Sequence, residues 1–260
     1  KTHKSPLLAH KQLDAGAIGI TCAKLSEAET MTQAGIDDVL IANQIVGHRK
    51  IARLVGLAAH SRVIVAVDDP SNVAELDAAA QAKGVQLRVL VEVDIGMGRC
   101  GAEPGESAVT LAQQVAAAAG LRFEGIMGYE GHAVMIPDYA ERRRQTEASL
   151  KLLVETKELM EAAGLPVGIV SSGGTGTYDI TGSYPGVTEV QAGSYATMDA
   201  HYRDAVGVDF CCALFIVAQV ISAIRPDVVI IDAGSKTMTQ DFGLPIVAWP
   251  EGWRLVGLSE

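Results

Sequence analysis

The residues best suited to covalent chemistry stand at the start of the chain, which reads KTHK. Lys1 and Lys4 flank His3 in this tetrapeptide. A lysine amine can form a Schiff base with an aldehyde cofactor, provided that the fold holds the amine beside the cofactor's binding site. The four residues by themselves also fit a solvated, charged loop, so the choice depends on what surrounds them.

A glycine-rich run, SSGGTGT at residues 171–177, is the strongest physical signal for a ligand site. Glycines let backbone N–H groups approach an anion closely, and the hydroxyl groups add further donors. A second turn of this kind, QAGSY at residues 191–195, follows nearby. Neither segment has the G-x-G-x-x-G or the P-loop pattern. We predict that the run binds phosphate; a flexible polar turn is the alternative.

Two further candidates, Arg99 and His132, lie in the segments DIGMGRCG and GYEGH. Arg99 follows a fully apolar run, so we expect its side chain to face a pocket rather than to be a surface charge. His132 has Glu130 as a near neighbour. No second histidine stands at ligand spacing, so a complete metal site is not visible in the sequence and the metal ligands are unknown at this stage.

These candidates need elements that bring them together, and the alternating pattern of the chain supplies them. Short apolar, β-rich runs alternate with stretches of helical periodicity that are rich in Ala, Leu, Glu and Gln. The predicted strands are 18–22, 39–42, 63–67, 87–93, 123–127, 167–170 and 188–191. The predicted helices are 7–15, 25–34, 48–59, 72–83, 106–119 and 139–163. Because the strands are apolar almost throughout, we expect both faces of a parallel sheet to be buried.

One more strand would give this pattern eight strand–helix units. The helix at 7–15 requires a preceding strand, which would end at or just before Lys1. Eight units are the number in a (β/α)8 barrel, our predicted fold; an open doubly wound sheet is the alternative. In a barrel the loops after the strand C-termini gather at one end, so Lys1, Arg99, Tyr129 and both glycine-containing turns should converge there.

The pattern changes after about Asp204. Residues 210–224 and 228–232 are β-rich runs with no helix between them, and 246–249 with 253–257 resemble a hairpin around Pro250-Glu251-Gly252. We therefore predict a barrel domain at 1–204 and part of a mostly antiparallel β domain at 205–260. Since the chain opens without an initiator Met and stops after the apolar WRLVGLS, we expect a fragment of a longer protein.

Composition excludes several classes of protein. With 260 residues, 20% charged and 48% hydrophobic, the chain can bury a sizeable core and does not resemble a disordered polymer. The net charge of -10 gives no electrostatic attraction for nucleic acid or an anionic membrane, and no apolar stretch is long enough to span a bilayer. Four cysteines without C-x-x-C spacing suit a reducing, cytoplasmic environment.

Nearly the whole chain is covered by motifs in a fixed order: KTHKSP, GITCAKLSEAE, VEVDIGMGRCG, GYEGH, SSGGTGTY, TEVQAGSY and DAGSKTMTQD. Together they resemble the fold-type III pyridoxal-phosphate enzymes, which have alanine-racemase-like barrels. The resemblance is stronger to one branch, the D-threonine aldolase and eukaryotic-type D-serine dehydratase family. The segment VEVDIGMGRCG would fit any barrel of this type, whereas KTHK with QAGSY and the glycine-rich run is more specific to the branch.

The resemblance implies a pyridoxal 5'-phosphate cofactor and a role for individual residues. Lys1 would form the Schiff base with the cofactor, and Lys4 is the less suitable candidate. Arg99 would contact the cofactor's phenolic oxygen or the substrate carboxylate, and His132 would be a further catalytic residue. Gln191 would face the pyridine nitrogen, where alanine racemases have an arginine. Contacts are also implied for Tyr129 at the ring, for Gly174, Thr175, Gly176, Gly193 and Ser194 at the phosphate, and for Ser172 and Tyr195.

The implied activity is that of a lyase: retro-aldol cleavage of D-threonine-like substrates to glycine and an aldehyde. Dehydration of D-serine to pyruvate and ammonia is the alternative within the same branch. Two other classes stay open, an amino-acid racemase, which Gln191 disfavours, and a non-catalytic protein of pyridoxal-phosphate homeostasis, which the β-rich region after Asp204 disfavours. The branch also implies a divalent metal with ligands beyond Glu260, a small-molecule D-amino acid as substrate, and a homodimer.

Overall fold

The structure, a computed structural model, describes residues 1–241 and 243–259. The chain falls into two units, Lys1–Ala196 and Thr197–Glu260. Phe242 and Glu260, which belong to the predicted domain 205–260, lie outside the described residues. None of the helices in the described part combines the length and the apolar character that crossing a bilayer requires.

Seven parallel strands form the sheet of the first unit, and they pair in chain order. They are β1 Ile20–Cys22, β2 Asp38–Gln44, β3 Arg62–Val67, β4 Leu87–Glu92, β5 Leu121–Met127, β6 Ile169–Ser172 and β7 Glu189–Val190. All seven predicted strands are confirmed. Because each strand pairs with the next one along the chain, the order never reverses as it does in a doubly wound sheet, and that alternative is wrong. The sheet is a parallel half-barrel with β1 and β7 at its edges.

Seven helices accompany these strands: α1 Pro6–Asp14, α2 Leu25–Gln33, α3 His48–Ala58, α4 Pro70–Lys83, α5 Glu106–Ala117, α6 Tyr139–Ala162 and α7 Tyr178–Gly182. The six predicted helices are confirmed. Local chemistry sets their ends: before α4 the Asp69 carboxylate accepts the N–H groups of Ser71 and Asn72, and Gly84 ends the helix in the left-handed conformation. The sequence pattern did not predict α7, because five residues are too few to show a helical period.

Both faces of the sheet are buried, as the continuous apolar strands predicted. Alternate residues of a strand point to opposite faces, so each strand contributes to two cores. The outer core joins strands to helices and includes Val39, Val63, Val89, Leu54 and Leu111. The inner core is smaller and consists of Leu40, Ile64, Ala66, Leu90 and Met127, with Ala42 and Ile169 packed against it.

Ion pairs lie next to the inner core, towards the N-terminal ends of the strands. Arg88 Nε donates to Glu124 Oε1 at 2.8 Å, and Arg88 Nη1 lies 3.3 Å from Asp38 Oδ1. Arg88 and Asp38 stand at the starts of β4 and β2. The C-terminal ends of the same strands are therefore the end at which ligand-binding groups can gather.

The second unit contains little regular structure. Strand β8, Val220–Ser222, pairs antiparallel with β9, Ile230–Ile231, so short strands lie within the predicted runs 210–224 and 228–232. The predicted hairpin is wrong: the described residues of 246–249 and 253–257 form no strand, although a turn occurs at 251–252. Val217 and Trp249 are 94% and 82% exposed. Without a layer packed against them, β-rich segments gain too little burial to form stable strands.

A substitution at Gly125 in β5 tests how closely β5 packs against β6. Its φ of 149° and the closeness of Ile169 O leave no room for a Cβ atom. We expect Gly125→Ala to lower the free energy of unfolding by roughly 3 kcal/mol or more, because backbone strain and the displacement of β6 add together. In the control, Gly164→Ala, φ is also positive but no atom lies within 4 Å of the added Cβ. That change should cost about 1 kcal/mol. Urea denaturation measures both losses, and equal losses would contradict the packing described.

Candidate active site

The C-terminal ends of four neighbouring strands carry most of the predicted site residues. Arg99 follows β4, Tyr129 follows β5, the glycine-rich run begins within β6, and Gln191 follows β7 directly. The four strands are consecutive neighbours in a parallel sheet, so their C-terminal ends share one edge. The contacts between the loops arise at that edge.

The Tyr129 ring joins three of the predicted groups. Lys1 Nζ lies 5.8 Å from the ring centroid, and Arg99 Cζ lies 5.7 Å from it. Gly174 approaches the same ring so closely that a Cβ atom there would lie 3.3 Å from Tyr129 Cε2. Two cations and the glycine-rich run therefore meet around one aromatic side chain.

The environment of Lys1 lowers the pKa of its ammonium group. The residue is exposed, yet the protein around its ammonium group removes enough hydration to lower the pKa. Burial is the largest cause, and repulsion by the Arg99 guanidinium lowers the pKa further, while Glu92 and Cys100 act in the opposite direction. Because the neutral amine is the form that attacks an aldehyde, the lowered pKa suits Lys1 to Schiff-base chemistry.

Lys4 has a different environment. Its Nζ lies 2.5 Å from Glu27 Oε1 and also donates to Lys1 O at 3.1 Å. Glu27 in turn accepts the N–H groups of Ala23 and Lys24 at the beginning of α2. The Lys4 amine is thus held by a carboxylate beside α2, and the geometry favours Lys1 as the reactive lysine.

Glu92, the last residue of β4, is a buried carboxylate that the sequence-based predictions did not include. Its Oε2 accepts Gln44 Nε2 at 2.6 Å, its Oε1 accepts Cys100 Sγ at 3.2 Å, and Arg99 Nη2 lies 3.8 Å from Oε1. The residue is 3% exposed, and its charge acts on both Arg99 and Lys1. The sequence did carry a signal for this residue, since Glu92 stands inside the apolar strand LRVLVEV. An acidic residue in a buried strand needs a polar partner, so Glu92 could have been predicted to contact one.

The loop after β4 directs Arg99 towards a cleft. The Asp94 Oδ1 atom accepts the N–H groups of Gly96 and Gly98, each at 3.0 Å, and Gly101 N donates to an oxygen of Asp68 at 2.9 Å. These bonds fix both ends of the loop. The shallow cleft beside it is lined by Glu92, Val93, Asp94, Met97, Arg99, Cys100 and Tyr129. An arginine in such a cleft suits an anionic oxygen of a ligand.

The glycine-rich run is buried over all seven residues, 171–177, so it is not a flexible surface turn. Thr177 N donates to Gly174 O, and Gly174 N donates to Thr177 Oγ1, each at 3.2 Å. These bonds close a turn whose central residues are Thr175 and Gly176. Gly176 lies directly against Val134 O, which a Cβ atom would overlap. The turn is therefore held in one conformation in which a glycine is required.

The central residues of this turn offer donors that suit an anion. Within residues 1–241 and 243–259, the N–H groups of Thr175 and Gly176 have no hydrogen-bond acceptor. Thr175 Oγ1 accepts Tyr195 N at 3.0 Å, so the hydroxyl proton stays available for a further bond. Buried N–H groups without a protein partner are uncommon, and three adjacent donors fit a phosphate group.

Glu130 holds the run from within the protein. The side chain is fully buried and accepts four hydrogen bonds, from Ser172 Oγ at 2.8 Å, Gly173 N at 3.2 Å, Thr177 Oγ1 at 2.7 Å and Thr181 Oγ1 at 2.8 Å. Ser172, a predicted cofactor contact, thus gives its proton to Glu130. Gly174, another predicted contact, gives its N–H to Thr177. The sequence identified Glu130 only as a neighbour of His132, because its role depends on the pairing of β5 with β6.

The turn at 191–195 connects the start of the chain with the glycine-rich run. A Cβ atom at Gly193 would lie 2.9 Å from Thr2 Oγ1, so this glycine allows a close approach. Tyr195 Oη accepts Gln12 Nε2 of α1 at 2.6 Å. Ser194 begins a single 3-10 turn, Ser194–Ala196. Gly193, Ser194 and Tyr195 therefore lie in a segment that contacts both predicted ligand-binding parts of the chain.

Gln191 is oriented by two neighbours. Its Nε2 donates to Ser171 Oγ at 2.8 Å, and Ser171 Oγ donates to Glu189 Oε1 at 2.6 Å. Since the single hydroxyl proton goes to Glu189, Ser171 accepts from the amide nitrogen and leaves the amide oxygen for another donor. Burial raises the pKa of Glu189, and the hydrogen bond from Ser171 opposes that rise.

His132 lies beside α6. Its Nε2 is 3.5 Å from Ser149 Oγ, a long hydrogen bond, and a Cβ atom at Gly96 would lie 3.1 Å from its Cε1. Neither contact involves Lys1 or Arg99, and the catalytic role of His132 stays a prediction. Among the residues that the structure describes, no group of three or more His, Cys, Asp or Glu side chains is placed to hold a metal ion.

Comparison with known proteins finds an alanine racemase domain, two aldolases and a dehydratase among the proteins that this chain resembles. A family model described as the alanine racemase N-terminal domain matches residues 1–201. The 3-hydroxy-D-aspartate aldolase of Paracoccus denitrificans is 38% identical over 275 residues, which cover 99% of this chain and 71% of that protein. The crystal structure of D-threonine aldolase from Filomicrobium marinum matches with a TM-score of 0.95 and 38% identity, over 99% of this chain and 71% of that one. The D-threo-3-hydroxyaspartate dehydratase of Delftia sp. is 30% identical, over 94% of this chain and 65% of that protein.

The charges around Lys1 predict opposite effects of two substitutions. Arg99→Gln removes a repelling cation, so we expect the pKa of Lys1 to rise towards its ordinary value. Glu92→Gln removes an attracting carboxylate, so the pKa should fall further. The pH dependence of reductive methylation of Lys1, followed by peptide mass spectrometry on the cofactor-free full-length protein, measures both shifts.

A surface arginine provides the matched control. Arg144 pairs with Glu141 on the exposed side of α6, so Arg144→Gln should leave the labelling of Lys1 unchanged. Shifts of the same sign for Arg99→Gln and Glu92→Gln would show that the two charges do not act on Lys1 as described.

Proposed function

The chain belongs to the family of the alanine racemase N-terminal domain, and we propose that the full-length protein is a pyridoxal-phosphate-dependent lyase that cleaves D-β-hydroxy amino acids to glycine and an aldehyde. The observation that carries this proposal is the Lys1 amine, with its lowered pKa, beside Tyr129 and Arg99. It stands in a chain that aligns almost end to end with two aldolases of such substrates.

The residues present fit the cofactor. Lys1 would take the aldehyde, and Thr175 with Gly176 would hold the phosphate through the donors that have no protein acceptor in the described part of the chain. Gly193 and Ser194 lie in the adjoining turn and would complete this site. When bound, pyridoxal phosphate supplies an aldehyde that captures amino groups and a ring that stabilises negative charge at the substrate Cα.

The protein's own groups bind the substrate and move its protons. The Arg99 guanidinium, with a side chain 51% exposed, presents donors to an anionic oxygen in the cleft, while Glu92 holds it from the buried side. Lys1 Nζ, whose pKa is lowered, releases a proton more readily than an ordinary lysine and can then accept one from a substrate. The Tyr129 ring lies beside both cations.

The start of the chain supports closure of the sheet into a (β/α)8 barrel. The backbone nitrogen of Lys1 donates to Thr21 O of β1 at 2.8 Å. Thr2 lies against Gly193, which follows β7. The segment at Lys1 and Thr2 therefore runs between the two edge strands of the half-barrel. A strand that ends at Lys1 would lie between β1 and β7. It would come first in chain order and would complete an eight-stranded barrel.

Dehydration is a second candidate, favoured by the similarity to a hydroxyaspartate dehydratase. Both reactions begin from a D-β-hydroxy amino acid, and the groups around Tyr129 serve either. A divalent metal, a homodimer and a cytoplasmic location, which the resemblance and the composition implied, stay predictions. Residues 1–241 and 243–259 hold no group of three or more His, Cys, Asp or Glu side chains placed to bind a metal ion, so they do not account for a metal.

Product analysis separates the two reactions. We expect the full-length protein with pyridoxal phosphate to convert D-threonine to glycine and acetaldehyde, and 3-hydroxy-D-aspartate to glycine and glyoxylate. A dehydratase would instead release ammonia, with 2-oxobutyrate from D-threonine and pyruvate from D-serine. Chromatography of the products measures the outcome, and dialysis against a chelator in the same assay reports metal dependence. Turnover of L-threonine but not D-threonine would contradict the proposal.

The two lysines give a matched pair for the cofactor. Lys1→Ala should abolish the visible absorbance band of bound cofactor and the adduct that borohydride traps, because it removes the amine that lies beside Tyr129. Lys4→Ala removes an amine paired with Glu27 and should keep both signals. Peptide mass spectrometry of the reduced protein locates the modified lysine, and modification of Lys4 would overturn the assignment.

A further inference from the structure

We infer that Glu130 is a positioning residue that makes the glycine-rich turn selective for a phosphate-bearing cofactor. The inference rests on the proposed function and adds a residue to it. Glu130 is fully buried, follows β5, and shares no hydrogen bond with Lys1 or Arg99. Its four hydrogen bonds all go to the glycine-rich run or to Thr181 of α7, so its influence must act through that segment.

All the acceptor positions of the carboxylate are occupied. Thr177 and Thr181 donate to Oε1, and Ser172 Oγ and Gly173 N donate to Oε2. A carboxylate offers about four lone-pair sites, so no acceptor position is left over. The consequence is that three hydroxyl protons of this segment point inward to Glu130.

The inward direction of the Thr177 proton decides the geometry of the turn. The Thr177 hydroxyl donates its hydrogen bond to Glu130, so Thr177 Oγ1 is free to accept the N–H of Gly174, at 3.2 Å. Thr177 N donates to Gly174 O. The first and last N–H groups of the turn are therefore used inside the protein, and those of Thr175 and Gly176 remain for a ligand.

This arrangement favours a phosphate over a neutral group. Two N–H donors and the Thr175 hydroxyl match the several acceptor oxygens of a phosphate, and bonds to a charged acceptor are stronger than bonds to a neutral one. Without Glu130, the hydroxyls of Ser172, Thr177 and Thr181 lose their shared acceptor and rotate, and the turn loses the restraint that keeps its donors aligned. The aldehyde end of the cofactor, at Lys1, does not depend on these bonds.

The test compares pyridoxal 5'-phosphate with pyridoxal, which has the same aldehyde and ring but no phosphate. Both are titrated into the cofactor-free full-length protein and its Glu130→Gln variant, with absorbance as the readout. Glutamine keeps the shape but turns one acceptor atom into a donor that faces two donors. We expect the Kd of pyridoxal 5'-phosphate to rise by about tenfold or more, and that of pyridoxal to change by less than about twofold.

Three further variants separate positioning from a general loss of stability. Val170→Ala removes a buried side chain of the outer core in β6, and we expect a lower Tm with an unchanged ratio of the two Kd values. Thr177→Val removes the hydroxyl between Gly174 and Glu130 and should reproduce the phosphate-specific loss. Thr177→Ser restores the hydroxyl and should restore the ratio. The Thr177 pair carries the test if Glu130→Gln does not fold.

Each outcome decides between the two proposals. If the unmodified protein binds neither compound, the proposed function fails and this inference fails with it. If the protein prefers the phosphorylated compound and Glu130→Gln or Thr177→Val weakens both compounds equally, the function stands and the role of Glu130 is refuted. An unchanged ratio in both variants refutes it as well.

Discussion

The need to bury both faces of the parallel sheet constrains everything else in the first unit. Helices cover the outer face, and a small apolar core with ion pairs at one end fills the inner face. Since ion pairs occupy the N-terminal ends of the strands, the polar groups that can bind a ligand gather at the strand C-termini, where the chain leaves the sheet. Glu92, Tyr129, Ser172 and Gln191 all lie at that edge, and their convergence follows from the sheet rather than from any one loop.

The electrostatics of the site depend on two cations that share one ring. An attraction between a cation and an aromatic face is worth about 0.5–1 kcal/mol at an exposed site. For Lys1 this attraction does not prevail, because lost hydration and the Arg99 charge together lower its pKa. Glu92 limits the effect, since its buried carboxylate attracts both cations. The surroundings thus raise the pKa of Arg99 and lower that of Lys1, and a ligand anion in the cleft would reduce the repulsion between the two groups.

The strands and most helices could be predicted because burial imposes a period on the sequence, and strand ends in turn located Lys1, Arg99, Tyr129 and the glycine-rich run. The pattern could not show Glu92 or the role of Glu130, since each acts through partners brought close only by strand pairing. The hairpin in the second unit was wrongly predicted for the related reason that β-rich composition forms strands only where another layer covers them. The six confirmed helices had enough turns to display their period, and α7 did not.

The hydrogen-bonded series Glu189–Ser171–Gln191 shows how a half-buried acid can set the polarity of a neutral side chain. Glu189 accepts a hydrogen bond from the Ser171 hydroxyl, Ser171 Oγ accepts one from the Gln191 amide nitrogen, and the amide oxygen is left to accept from another donor. An arginine in place of Gln191 could only donate, and it would oppose protonation of a ring nitrogen facing it. A glutamine oriented in this way would instead accept a hydrogen bond from a protonated ring. The departure from the racemase pattern is therefore more than a lost charge, because residues of β6 and β7 together orient the amide.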